Sequence, residues 1–246
     1  MLDIGAASHI GKVRSINEDS YCIEQGNVEL YIVADGMGGY TCGDLASSIA
    51  VETIKDHIVK HIKSELENEL IKGIIHEAFN VANRAIYRES LSNVNCVGMG
   101  TTTTLALYLN DNVYIGHVGD SRAYIIKSKQ IKQISSDHSV IAELVKRGEI
   151  SQNEAKIHPK RNVITRALGT SSIIRSDIFF VSNSDIDVLM LCTDGLSNYV
   201  EDEEIKDVLI SCKNSGKCSE ELVELANSRG GYDNITVITV KKGKAI

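Results

Sequence analysis

The chain has 246 residues, of which 43% are hydrophobic and 24% charged, and a formal net charge of −7. That length can bury a sizeable core, and the acidic balance argues against a nucleic-acid binder, because the phosphate backbone rewards Lys and Arg. No apolar run approaches the roughly 20 residues of a spanning helix, and the N-terminal MLDIGAASHIGKVRS has no apolar signal core, so a cytoplasmic protein without a membrane partner is expected.

Strand-like runs rich in Val, Ile, Tyr and Thr open with Tyr21–Glu24 and Leu30–Ala34. Two helical patterns follow. Ala46, Ile49, Ala50, Thr53, Ile54, His57, Ile58, His61 and Ile62 recur at helical spacing, with Asp44 placed to cap the helix or to favour its dipole. Leu66, Leu70, Ile74, Ala78, Ala82 and Ile86 form the second stripe. Strands are then predicted at Thr101–Leu109, Val113–Val118 and Arg122–Lys127, with Asn110-Asp111-Asn112 as hairpin-turn chemistry. Later come helices at Val140–Arg147, Glu203–Ile210 and Glu220–Asn227, and strands at Ile178–Val181, Val188–Cys192 and Ile235–Val240. This order lacks a regular strand–helix alternation and predicts an α+β fold in one domain, residues 1–246, with antiparallel sheets covered by helices.

The six cysteines, Cys22, Cys42, Cys96, Cys192, Cys212 and Cys218, show no Cys-x-x-Cys pair and no zinc-like spacing. With nothing to suggest secretion, they are expected as free thiols in a reducing compartment. Cys192 lies inside an apolar run, where a thiol is an inert core residue.

Carboxylates gather at strand edges. Asp35 and Asp194 each end an apolar run and precede a glycine, Gly36 and Gly195. Asp233 precedes the run Asn234–Ile238, Glu18 and Asp19 precede Tyr21–Glu24, and Asp120 is expected at a hairpin tip between Val118 and Ser121. Taken singly, each aspartate reads as a turn residue. Taken jointly, they read as ligands: six carboxylates in one site need cations, and all-oxygen donors select hard ions such as Mg2+ or Mn2+. The glycines would let backbone approach a metal closely. Two such ions can activate a water and neutralise a phosphoryl group. Arg14 reads either as a phosphate-binding guanidinium or as an ordinary exposed arginine.

Eight stretches together resemble the metal-dependent PPM phosphatases, the type 2C serine/threonine phosphatases: Arg14–Ser20, Val33–Gly39, Gly98–Thr102, Gly116–Tyr124, Asp137–Ser139, Arg161–Gly169, Leu191–Asn198 and Gly230–Ile238. They run in the family's order over nearly the whole chain, and the compact form is similar to the bacterial branch. The resemblance implies a four-layer αββα sandwich, two antiparallel sheets flanked by helices. It implies one metal on Asp35, Asp194 and Asp233, and a second on Asp35, the Gly36 carbonyl and, through water, Glu18. A third, weaker metal would sit on Asp120 and Asp194. Asp19 would orient water, Arg14 would bind the substrate phosphate, and Asn234 would support the ligands from behind. Residues 136–170 would form a flap beside the site. Phosphoserine and phosphothreonine proteins would be substrates, a serine/threonine kinase the counterpart, and the protein a monomer.

One departure touches the chemistry. Where some members carry a histidine after the first Asp-Gly and use it as general acid, this chain has Met37, which has no proton to give. Water on a metal, His138 and His158 are the candidate donors. Asp44 stands where glutamate is expected, a conservative change. Two other readings share the fold: a phosphoprotein-binding module without turnover, and a cation-binding structural domain. The filled ligand set counts against the first, and Arg14 against the second.

Overall fold

The computed structural model describes residues 2–38 and 42–243. Gly39, the last residue of the Val33–Gly39 stretch, lies outside them, as do Met1 and residues 244–246 of the expected domain. Among the described residues, eleven strands form two antiparallel sheets. In the first, β1 (Leu2–His9), β11 (Ile235–Lys242), β10 (Val188–Cys192), β7 (Arg122–Lys127) and β8 (Gln130–Gln133) lie side by side in that order. In the second the order is β2 (Asp19–Glu24), β3 (Glu29–Met37), β5 (Thr103–Leu109), β6 (Asn112–Val118) and β9 (Asp177–Ser182). The short β4 (Gly100–Thr101) pairs with the end of β3.

Strand alternation builds the layers. On β3, Leu30, Ile32 and Ala34 face the helices α1 (Gly43–His61) and α2 (Asn68–Ser92), while Tyr31 and Val33 face the other sheet. On β10, Leu189 and Leu191 meet them between the sheets, and Val188, Met190 and Cys192 pack under α6 (Asp202–Ser211) and α7 (Ser215–Ser228). The result is helix, sheet, sheet, helix: the αββα sandwich expected from the sequence. Burial on both faces explains why these strands read as continuous apolar runs, each Leu or Ile contributing about 1.5–3 kcal/mol.

Several expectations change. Asp120 is not at a hairpin tip. β6 and β7 belong to different sheets, so Gly119–Ser121 carries the chain from one sheet to the other. The N-cap of α1 is Cys42, without a side-chain bond; Asp44 stands inside the first turn and acts on the dipole. The α2 core stripe contains Ile71, Ile75 and Phe79, whereas Leu70 is 58% exposed. Cys42 and Cys96 are not free thiols. The 3-10 turn Val94–Cys96 brings their Cα atoms to 5.4 Å and they form a disulfide. Cys22, Cys192, Cys212 and Cys218 are free. Strands β1 and β8 and the short helices α4 (Gln152–Ile157) and α5 (Asp194–Ser197) were not predicted.

Candidate metal centre

The strand ends meet at one edge of the sandwich, around a cavity of about 260 Å3. Five of the six carboxylates line it: Glu18, Asp35, Asp120, Asp194 and Asp233. The second sheet supplies Asp35, near the end of β3. The first supplies Asp194, just past β10, and Asp233, just before β11. Asp120 comes from the link between the sheets. The sixth carboxylate, Asp19, is set behind the cavity, directly opposite Asp35 in the β2–β3 register, where its Oδ2 accepts from the Thr193 hydroxyl at 2.9 Å.

The glycines also have a packing role that the sequence did not show. A Cβ at Gly36 would stand 2.0 Å from the Gly43 carbonyl oxygen, and one at Gly195 would stand 1.9 Å from that of Asn234. The clearance is taken by neighbouring backbone, which locks the start of α1 against β3 and α5 against β11.

Hydrogen bonds fix the rest. The Gly43 N–H donates to Glu18 Oε1 at 3.2 Å. Asn234 is 4% exposed; its Oδ1 accepts from the Glu18 N–H, and its Nδ2 donates to the carbonyls of Ile10 and Ile16. It thereby holds the Glu18 segment against β11. Arg14 is not free: its Nη2 donates to Asp233 Oδ2 at 2.8 Å. Burial disfavours its charge, but Asp233 outweighs that and raises its pKa.

Asp19, Asp35, Asp120, Asp194 and Glu18 are held above their ordinary carboxyl range. Burial is the first cause throughout, and their mutual repulsion adds to it. Asp35 is pushed well up, with Asp19 and Asp194 as its nearest like charges. Asp120 is raised to about 8, and Asp19 to about 7 despite its hydroxyl partners. Asp194 is raised to about 6, by burial and Asp233, with the neighbouring Asp35 carboxyl pulling it back. Glu18 is raised as well.

Asp194 Oδ1 and Asp19 Oδ1 are buried acceptors with no donor. Such atoms are costly unless a cation meets them, and an all-oxygen set fits a hard divalent ion. Among the described residues, no three His, Cys, Asp or Glu side chains form a finished cage for one ion. Arg14 draws on Asp233, and the Asn198 amide donates to Asp194 Oδ2 at 2.9 Å. The donors ring a shared space and are held by protein groups that a cation would displace.

Met37 lines the cavity. Neither histidine weighed as an acid does: His138 is buried at 6% exposure, and His158 ends α4. Sequence reading missed Thr102, Asn162 and Ile164, which also line the cavity. All three lie inside stretches that carried the resemblance, so a signal was there without a role attached. Thr102 Oγ1 accepts from the Asp35 N–H at 3.1 Å and pairs with the Ser121 hydroxyl, tying β3 to the Asp120 link.

Comparison with known proteins agrees with this geometry. The family model for protein phosphatase 2C matches residues 7–228. A serine/threonine phosphatase, stp, of Listeria welshimeri is 37% identical over 234 residues, 94% of this chain and 92% of that one. The crystal structure of serine/threonine phosphatase Stp1 from Staphylococcus aureus superposes with a TM-score of 0.91 at 35% identity, over 99% of this chain and 96% of that one. The catalytic domain of the serine/threonine phosphatase PstP, crystallised with two manganese ions, superposes with a TM-score of 0.84 at 30% identity, over 98% and 97%. The chain belongs to the protein phosphatase 2C family and is a serine/threonine phosphoprotein phosphatase of the bacterial PPM type.

Proposed function

We propose that this phosphatase hydrolyses phosphoserine and phosphothreonine in proteins by direct attack of water at a two-cation centre, Mn2+ or Mg2+. The observation that carries the reading is the convergence of five carboxylates from separate strands on one cavity, with a buried Asp194 oxygen lacking any donor. When bound, the cations supply an activated water and neutralise phosphoryl charge. Asp35, Asp194 and Asp233 would hold one. Asp35, the Gly36 carbonyl and, through water, Glu18 would hold the other. Asp120 with Asp194 would hold a third, weaker ion.

Asp19, fixed by Thr193, orients the attacking water from behind. Arg14 exchanges Asp233 for the substrate phosphate, to which its fork is matched. Asn234 keeps the Glu18 segment in register. The leaving serine or threonine oxygen takes its proton from water, since Met37 has none and neither His138 nor His158 lines the cavity. Residues 136–170, carrying α3 (Val140–Lys146) and α4, form a flap within a single catalytic domain; Asn162 and Ile164 reach the cavity from it.

Phosphoserine and phosphothreonine are made by phosphoryl transfer to a hydroxyl, which supports a serine/threonine kinase as counterpart. Among the described residues no helix is long and apolar enough to cross a membrane.

Calorimetric titration with Mn2+ tests the centre. The native chain binds about two equivalents, and Asp35→Asn, which removes the shared ligand at constant size, loses both tight sites. Unchanged stoichiometry and affinity in Asp35→Asn would contradict the assignment.

A further inference from the structure

The link that carries Asp120 across the sandwich has little secondary structure of its own. β6 ends at Val118, β7 begins at Arg122, and Gly119 has φ +110°. Thr102 and Thr104 hold the link's Ser121 end through the Ser121 hydroxyl and carbonyl; its Gly119 end is held by one residue. The backbone N–H of His138 donates to the Gly119 carbonyl at 2.7 Å, and His138 Nδ1 accepts from the Gly119 N–H at 3.1 Å. Both polar atoms of Gly119 are therefore bound by His138, one position from Asp120.

His138 also grips the other end of residues 136–170. Its carbonyl accepts from the Thr165 N–H at 2.7 Å, and Ser139 bridges to Ile164, which lines the cavity. The ring is itself oriented. Its Nε2 lies 3.3 Å from Asp177 Oδ2 and 3.2 Å from Arg166 Nη1. A backbone N–H can only donate, so Nδ1 must be the bare nitrogen and the ring proton must sit on Nε2. That proton goes to Asp177, and the Arg166 N–H goes to Asp177 Oδ1 at 3.1 Å. A proton on Nδ1 would point at the Gly119 N–H. The His117 ring packs against it, centroids 4.8 Å apart, and leaves little freedom to turn.

We infer that His138 is a positioning residue, whose Nδ1, aimed by Asp177 and Arg166, holds Gly119 so that Asp120 presents its carboxylate to the cavity. It touches neither substrate nor cation. This inference rests on the proposed role of Asp120 as a ligand of the weaker cation. Groups standing behind a metal ligand typically contribute 10–100-fold in affinity or activity.

The test separates the two ring nitrogens and the two readings. In His138→Asn, the amide oxygen can stand where Nδ1 stands. In His138→Gln, the amide reaches toward Asp177 but leaves the Gly119 N–H without an acceptor. Asp120→Ala is the reference. Mn2+ binding is followed by calorimetry, and kcat and KM by phosphothreonine-peptide hydrolysis. His138→Asn is expected to keep the weaker Mn2+ site and kcat within about threefold. His138→Gln and His138→Ala are expected to weaken that site about tenfold or more and to lower kcat as Asp120→Ala does. Equal behaviour of the Asn and Gln variants, both folded, overturns the inference, because packing alone does not distinguish them. Loss of the weak site in Asp120→Ala but not in His138→Gln overturns it while leaving Asp120 as a ligand. If Asp120→Ala itself binds Mn2+ and turns over like the native chain, the assignment of Asp120 falls first and takes the inference with it.

Discussion

The charge on Arg14 has two uses that exclude each other. Its guanidinium pairs with Asp233; on the proposed mechanism that fork would pass to the substrate phosphate. Arg14→Ala should therefore lower kcat/KM for a phosphothreonine peptide by about 10–100-fold, the worth of charge-assisted hydrogen bonds, while leaving Mn2+ affinity undiminished. Weaker Mn2+ binding in the variant would show that Arg14 supports the ligand set. Its exposed position made its sequence reading ambiguous, and only the contact with Asp233 shows that it faces the cavity. Cys192, beside Asp194, is the opposite case. Burial pushes its thiol up to about 12, which agrees with the inert core residue read from its apolar run.

Strands were the most legible elements. Arg122–Lys127 and Val188–Cys192 match their predicted limits, because alternation with both faces buried leaves an unbroken apolar run. β1 and β8 were not seen. Leu2–His9 carries Gly5, two alanines and polar residues, and draws its stability from pairing with β11; Gln130–Gln133 is a polar strand at a sheet edge. The turn glycines were legible as glycines, but their packing role was not. Gly195 shows this at the α5–β11 junction, where an added methyl would meet the Asn234 carbonyl at 1.9 Å. Gly195→Ala should cost about 1–3 kcal/mol, a fall in Tm of about 2–12 °C for a chain of this size, together with most of the activity, because Asp194 and Asn234 both move. A variant with native Tm and turnover would contradict the packing account.

Across the whole molecule, two sheets converge to force carboxylates together, and that creates a pH dependence. Asp19, Asp120 and Asp194 each have a folded pKa above the unfolded value near 3.8, at about 7, about 8 and about 6. The metal-free fold thus favours their protonated forms. Their contribution to stability is complete below about pH 4 and is lost as pH rises through about 6 to 8, at up to about 1.4 kcal/mol per pH unit for each group. Differential scanning calorimetry in chelator should show Tm falling between pH 5.5 and 8.5, and Mn2+ should raise Tm more at the upper end than at the lower. A chelated Tm that is flat or rises over that range would contradict the burial of these groups.

The sandwich was legible from motif order and strand alternation together. The Cys42–Cys96 disulfide was not: its partners are 54 positions apart and meet only once the 3-10 turn is placed beside α1. The crossing of Asp120 between sheets was hidden likewise, since a hairpin and a crossover look the same over three residues.

Every role given to these residues depends on metal-dependent phosphoryl hydrolysis at the shared cavity. Hydrolysis of a phosphothreonine peptide, measured with Mn2+ and with chelator for the native chain and Asp194→Ala, tests it most directly. The native chain should show turnover that chelator stops and that Asp194→Ala, still folded, lacks. Turnover that survives chelator or the substitution, or its absence in the folded, Mn2+-loaded native chain, would contradict it.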